Sequence, residues 1–501
     1  MFCPSLLQIN TRVWLREASE QLGRRATLAD VTDVFLESVS RLGFDWIWLL
    51  GVWDNGEASR EIALRHPGLQ KEYKAALPDF TEKDVSGSPF AVRGYVVNKD
   101  FGGNEALFLF RDRLQDHGLR LLLDFVPNHT ALDHPWVYDH PEYYVNGTAE
   151  DLQKEPLNYR CAPTRFGELI LAHGRDPYFP GWTDTFQLNY RHPGLRPAMM
   201  KELQGIAKLA DGVRCDMAML LLPDIIARVW GNHSLPSDGA APVDTPFWPM
   251  AIEAAREANP FFCFIAESYW DLESELIRQG FDFAYDKGLY DRLRAKDAAA
   301  VRAHLSADPG FQMKLVRFLE NHDEMRAASA FPPNPHKAAG VITFLSPGFH
   351  LFHEGQMEGK RIKLPVQLNR RRQEAPDPMI HKFYLDLIEC RKHRAFCGSW
   401  KLLECTPAWE GNSTSDRFIA FLWEENPEAR LLVTVNYGAT SGQCHVRLRL
   451  PDLHNTRYLL SDLMDQTRYE REGNDLALQG LYLDLPAWGY HVFEMKKLVS
   501  F

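Results

Sequence analysis

Up to about residue 395, short apolar runs alternate with longer amphipathic stretches. Residues 44–50 (FDWIWLL), 119–125 (LRLLLDF), 212–217 (GVRCDM), 261–266 (FFCFIA) and 314–319 (KLVRFL) are mostly apolar, without a polar face of their own. Such runs predict strands buried on both sides, as in parallel sheets covered by helices. Residues 6–10, 281–285 and 349–352 are weaker strand candidates. Between them, residues 28–42, 105–117, 198–209 and 249–258 read as helices. Eight strand-then-helix units close into a barrel more naturally than they form an open sheet. The expected fold class is therefore α/β, a (β/α)8 TIM barrel.

Two stretches depart from that rhythm. Asp124 and Asp216 each end a candidate strand and stand 92 positions apart. That is one barrel unit of roughly 31 residues plus about 60 more. The surplus, rich in Pro, His, Tyr and Asp, predicts a small domain inserted after the third strand, at residues 130–190; insertions at that face of a barrel usually help build the cleft. Past residue 396 the segments 418–424, 431–437, 444–450 and 490–495 are short, β-rich and separated by turn residues. They predict a C-terminal antiparallel β-sandwich. The expected division is barrel at 1–129 and 191–395, insert at 130–190 and sandwich at 396–501.

Composition narrows the function classes. A net charge of −11 spread along the chain argues against nucleic acid or an anionic membrane as partner. The start (MFCPSLLQINTRVWL) has no secretory pattern, and the most apolar run, WIWLLGVW, is far too short to span a bilayer. The 8 cysteines are scattered with no CxxC pair, which reads as free thiols in a reducing cytosol.

Four strings carry the chemistry: DFVPNH (124–129), GVRCDMAM (212–219), AES (266–268) and ENHDE (320–324). A single carboxylate after a strand is a common helix cap. A barrel, however, brings all four strand ends onto one face. That would gather Asp216, Glu267, Asp323, His129, His322 and Arg214 in one cleft, with no Cys/His cage for a transition metal. Such a set suits a glycosidic bond, where one carboxyl must stay protonated and another ionised. Arg214 shares a strand face with Asp216 and should hold it ionised. Glu267, among Phe264, Ile265, Tyr269 and Trp270 and distant in sequence from Lys and Arg, should favour the neutral form.

These strings resemble the four signature regions of the α-amylase family, glycoside hydrolase family 13. Residues 43–53, 88–103 (SPFAVRGYVVNKDFGG), 186–190 (FQLNY) and the terminal LVTVNY and LPAWGYHVF extend the resemblance over nearly the whole chain. It implies a retaining α-glucoside enzyme with Asp216 as nucleophile, Glu267 as general acid/base and Asp323 as transition-state stabiliser. It further implies that Arg214 orients Asp216, that His129 and His322 bind sugar hydroxyls, and that Asp124 braces the site.

Phe90 and Tyr269 read equally as sugar-stacking or as core. Asn128 matches a calcium-ligand position of many relatives, but Gln187 stands where those supply an Asp. A hard cation loses a charged oxygen there, so neither a metal nor another cofactor is expected. Met219 replaces a Lys of many starch-cleaving relatives, and Gly94 replaces the Asp of a DY pair. Loops at 54–87, 232–247 and 354–376 are expected to narrow the cleft, and Arg370–Arg371–Arg372 reads as solvated surface. The function this implies is a cytoplasmic hydrolase of α-glucans or malto-oligosaccharides. A transglycosylase or glucoside isomerase with the same site, and a non-catalytic binding protein, remain the alternatives.

Overall fold

The computed structural model describes residues 3–498. Eight parallel strands close into a barrel: β1 (Ser5–Asn10), β2 (Trp46–Leu50), β3 (Arg120–Phe125), β4 (Gly212–Cys215), β5 (Cys263–Ala266), β6 (Phe283–Tyr285), β7 (Leu315–Arg317) and β8 (Phe349–His353). Each pairs with its neighbours in sequence order, and β8 returns to β1. All eight fall on the expected runs, including the three weak ones. Their side chains are almost all buried, Trp48 and Leu49 completely. That is why the strands show no period-2 alternation.

Register sets the level of each strand end. Arg214 of β4 lies beside Asp124 of β3 and Ile265 of β5. One step on, the Asp216 amide donates to the Phe125 carbonyl (2.8 Å) and the Glu267 amide to that of Cys215 (3.0 Å). The three loop entries are thus stitched together at one height.

The insert leaves and re-enters the barrel through a short antiparallel ribbon, His129–Ala131 with Thr185–Gln187. Its body is a hairpin, Tyr159–Thr164 with Gly167–Ala172. The region 54–87, expected as a loop, instead contains helices Ala58–Arg65 and Pro67–Ala76. His66 ends one and caps the next, its Nδ1 accepting from the Leu69 amide with Pro67 at the first position. Ala63, Tyr73, Leu77, Val85 and Leu368 form a small core of their own beneath them.

Arg370 and Arg371, expected on solvated surface, are paired. Arg370 reaches Asp84 (3.0 Å) and Asp79 (3.1 Å), and Arg371 reaches Glu17 (2.6 Å) and Glu354 (3.1 Å). They staple the 354–376 segment to elements far away in sequence.

The C-terminal region is an antiparallel sheet of 8 strands. Strand Ser399–Pro407 is its fold line: Trp400 pairs with Trp423, while Cys405 pairs with Val446 on another strand. The two layers enclose Phe418, Leu432, Val446, Leu483 and Phe493. Trp423 Nε1 donates to the Leu345 carbonyl and Tyr437 hydroxyl to that of Leu293, both at 2.7 Å, which docks this unit on the barrel helices. Among the described residues no helix is long and apolar enough to cross a membrane.

Candidate active site

Arg214 is the hub. It is buried, and its Nη1 lies 2.5 Å from Asp216 Oδ1 while its Nη2 lies 2.8 Å from Glu267 Oε1. Asp124 Oδ1 (3.8 Å) and Asp323 Oδ2 (4.0 Å) complete the ring of acids. The rings of Trp48, Phe90 and Tyr285 surround the guanidinium at 5.3–5.8 Å. Three aromatic neighbours keep water away, which strengthens every charge interaction here.

The Arg214–Glu267 contact corrects the sequence reading, which placed no cation near Glu267. The register of β4 and β5 makes the contact, and no spacing along the chain displays it. Glu267 also accepts from the Tyr269 hydroxyl (2.9 Å) and from the Met217 amide (2.6 Å). Met217 holds φ 44° and ψ 44°, left-handed backbone that non-glycine residues adopt at a cost of order 1–3 kcal/mol. That turn is what aims its amide at Glu267.

Electrostatics divide the three acids. Burial, with the charges of Asp216 and Asp323 adding to it, pushes the Glu267 carboxyl up to about 7 against the pull of Arg214. Burial also raises Asp216, although Arg214 opposes it by charge and by hydrogen bond. The expectation that Arg214 holds Asp216 ionised named one of two opposed influences and left out the desolvation of the same pocket. Burial acts on Asp323 as well, but His322, Arg214 and Lys363 outweigh it and hold that carboxyl well below the ordinary range. His322 Nε2 lies 3.0 Å from Asp323 and its Nδ1 2.8 Å from Gln8 Nε2.

Above this floor opens a cleft of about 620 Å³. Asp216, Glu267, Asp323, His129, Phe90 and Tyr269 all line it. Arg214, His322 and Asp124 are absent from its wall. Asp124, 2% exposed, accepts from Trp48 Nε1 and the Gly51 amide at 3.3 Å and so stands behind the site instead of touching a ligand. Phe90 stacks on His322 (5.2 Å, 29°) with its ring also presented to the cleft. Burial pushes the His129 imidazole down to about 4, leaving it neutral, and Trp182 packs edge-on at 5.0 Å.

The insert supplies wall residues that the sequence reading did not single out: Asp176, Tyr178, Phe179, Trp182 and Asp184. Their signal was the run DPYFPGWTD, acid and aromatic residues with two prolines in a segment already assigned to the cleft. Trp270 faces them, 5.2 Å from the Tyr178 ring. Of the three loops expected to narrow the cleft, 354–376 contributes Gln367, whereas no residue of 54–87 or 232–247 reaches the wall. Met219 is wholly buried in the barrel core. Tyr95, beside Gly94, is held by the Val126 carbonyl (3.0 Å) away from the cleft.

Asn128 and Gln187 hydrogen-bond to one another. Asn128 Nδ2 donates to Gln187 Oε1 (3.1 Å), and Gln187 Nε2 donates to both Asn128 Oδ1 and the Asn128 carbonyl (3.0 Å each). Two neutral amides whose oxygens are already engaged do not fit a hard cation. Incubation with EDTA is therefore expected to leave Tm within about 1 °C of the untreated value, a shift too small for loss of a folding-linked metal. A drop of several degrees, reversed by added calcium, would contradict this.

The model of the α-amylase catalytic domain matches residues 31–279. The α-amylase MalA of Haloarcula japonica is 24% identical over 418 residues, covering 81% of this chain and 51% of that protein. The α-1,4-glucan:maltose-1-phosphate maltosyltransferase of Rhodospirillum rubrum is 21% identical over 319 residues, 62% of this chain and 38% of that one. This chain thus spans about half the length, or less, of these relatives. A maltogenic α-amylase from Thermotoga neapolitana shares the fold with a TM-score of 0.68 at 17% identity, over 99% of both chains. Taken with the barrel, the insert after β3 and the four acids at the strand ends, these matches show that the chain belongs to the α-amylase family.

Proposed function

We propose that this protein acts on α-glucans or malto-oligosaccharides as a retaining enzyme, by double displacement through a covalent glycosyl-enzyme. Asp216 attacks the anomeric carbon, and Glu267 protonates the leaving oxygen and then deprotonates the incoming hydroxyl. Asp323 stabilises the oxocarbenium-like charge. The observation that carries this reading is that Asp216 and Glu267 grip the two arms of one guanidinium. A single planar fork keeps the two carboxyl groups close. That favours the short separation of retaining sites, about 5–5.5 Å, over the wider gap that admits a water in inverting ones. The raised Glu267 suits the proton donor, the lowered Asp323 keeps a fixed negative charge for the oxocarbenium-like carbon, and Arg214 opposes, by charge and hydrogen bond, the burial that raises Asp216. His129, neutral and at the wall, is suited to donate to a sugar hydroxyl. Arg214, His322 and Asp124 act through their neighbours.

Transglycosylation is the second reading, and the aromatic wall favours it. Tyr178, Phe179, Trp182, Tyr269 and Trp270 offer ring faces on which an acceptor sugar can stack in competition with water. A phosphorylated donor, such as the one named for the Rhodospirillum relative, fits less well. The cleft wall carries Asp176, Asp184, Asp216, Glu267 and Asp323 without a lysine or arginine. Lys363, near the rim, reaches the Asp323 backbone carbonyl instead.

Incubation with maltoheptaose, followed by chromatography of the products and NMR of the newly formed anomer, tests the reading. Shorter sugars released as the α-anomer support hydrolysis with retention, and sugars longer than the substrate support transfer. Release of the β-anomer would overturn the double displacement.

A further inference from the structure

The two oxygens of Glu267 are held differently. Oε1 lies 2.8 Å from Arg214 Nη2 and accepts from the Tyr269 hydroxyl at 2.9 Å, while Oε2 accepts from the Met217 amide at 2.6 Å. A positive charge and a hydroxyl donor thus both fall on Oε1, which makes it the poorer of the two oxygens for a proton. Burial and the charges of Glu267 and Asp323 push the Tyr269 hydroxyl well above its ordinary range, against the pull of Arg214, so it keeps its own proton to donate. The tyrosine is also fixed in place. The two residues after it, Trp270 (φ 64°) and Asp271 (φ 59°), have left-handed backbone, as does Met217 (φ 44°) on the other side of the carboxyl. Non-glycine residues keep that conformation only where the surroundings enforce it, and they cluster where a site is preorganised. Trp270 is packed by the Tyr178 ring at 5.2 Å and by the Arg228 guanidinium at 5.9 Å.

With Glu267 as acid/base, the reading on which this rests, we propose that Tyr269 is its positioning residue: the hydroxyl reserves Oε1 as an acceptor, so the catalytic proton is carried on Oε2. In the first step that proton passes from Oε2 to the glycosidic oxygen as Asp216 bonds to the anomeric carbon and the leaving sugar departs. In the second, Oε2 takes the proton of the incoming hydroxyl as the bond to Asp216 breaks. Oε1 keeps the Tyr269 bond throughout. Because donation favours the ionised carboxyl, removing the hydroxyl makes Glu267 a weaker acid. The other charged or titratable groups that act on Glu267 are Arg214 of β4, Asp216 just beyond it, Asp323 after β7 and Tyr285 of β6. Behind them, His322 and Lys363 touch Asp323. All of these remain in the variants below.

The test is Tyr269→Phe in the full chain, which keeps the ring and removes only the hydroxyl. Infrared difference spectra across pH follow the Glu267 carboxyl, its band assigned by its loss in Glu267→Gln. The titration is expected to move up by about one pH unit, the scale of one hydrogen bond to a charged group. The alkaline limb of kcat/KM on maltoheptaose should move with it. The C=O band of the protonated carboxyl should shift to higher frequency, because its carbonyl oxygen, Oε1, has lost a donor. At the pH optimum kcat should fall roughly threefold, since a weaker acid protonates the leaving oxygen more slowly. Tyr269→Leu, which removes the ring as well, should repeat the titration shift and also raise KM, so either variant serves if the other fails to fold. A carboxyl titration that stays put or moves down, or an unmoved C=O band, would overturn the assignment. A carboxyl shift that kcat/KM does not follow would support the hold of Tyr269 on Glu267 and overturn the acid/base reading instead.

Discussion

Asp216→Asn is expected to lower kcat by roughly four to six orders of magnitude, the scale on which loss of an attacking group acts when its partners remain. The amide is isosteric but cannot attack the anomeric carbon, so no glycosyl-enzyme forms. Folding should survive. Asp216 is a buried carboxylate whose desolvation offsets much of its attraction to Arg214, and Arg214 keeps its 2.8 Å contact with Glu267. We expect Tm within about 4 °C of the parent's. Turnover of maltoheptaose, measured together with thermal unfolding, checks both halves. Substantial residual turnover in well-folded protein would remove Asp216 from the role of nucleophile.

Glu267→Gln should show a more structured loss. With an unactivated maltosaccharide, kcat falls by roughly two to four orders of magnitude, the usual worth of general acid–base catalysis. With an aryl glycoside whose leaving group needs no proton, the first step should be nearly spared, so that a burst of released phenol precedes slow turnover. The pH profile adds a second signature. The acid form of Glu267 is the working form in the first step, so kcat/KM should fall as pH rises through about 7, where burial has placed this group. On the other side Asp216 must be ionised, so activity should also fall as pH drops through its own raised value. The glutamine variant keeps the second limb and loses the first. If the alkaline limb persists unchanged in that variant, it belongs to another group.

How far the sequence reading reached depended on whether a feature is local. Each barrel strand is a short contiguous run, so even PGFHLFH, with polar residues inside it, was recognisable as β8. The acids at the strand ends followed from topology, since a barrel collects its strand ends whatever the loops between them. Features made by pairing distant segments stayed out of sight. Arg214 reaches Glu267 because residues 212–215 lie in register with 263–266, and Arg370 and Arg371 find Asp84 and Glu17 hundreds of positions away. The strand Arg468–Glu472 (RYERE) has no apolar face to signal it. It sits at the sheet edge, held by backbone pairing with Arg457–Asp462. The helices within 54–87 lacked a long amphipathic pattern because His66 and Pro67 split them into two short pieces.

The ribbon His129–Ala131 with Thr185–Gln187 ties both ends of the insert to the barrel at one place, beside the paired amides of Asn128 and Gln187. The insert is braced elsewhere as well: Asp184 accepts from the Ser59 hydroxyl (2.8 Å), Arg175 donates to the Val229 carbonyl (3.4 Å), and Val145, Tyr159 and Ala172 pack on Trp230. A wall braced on several sides keeps Tyr178, Phe179 and Trp182 at a set height over the acids, so substitutions that loosen those braces would retune how long products dwell while leaving bond cleavage at the floor untouched.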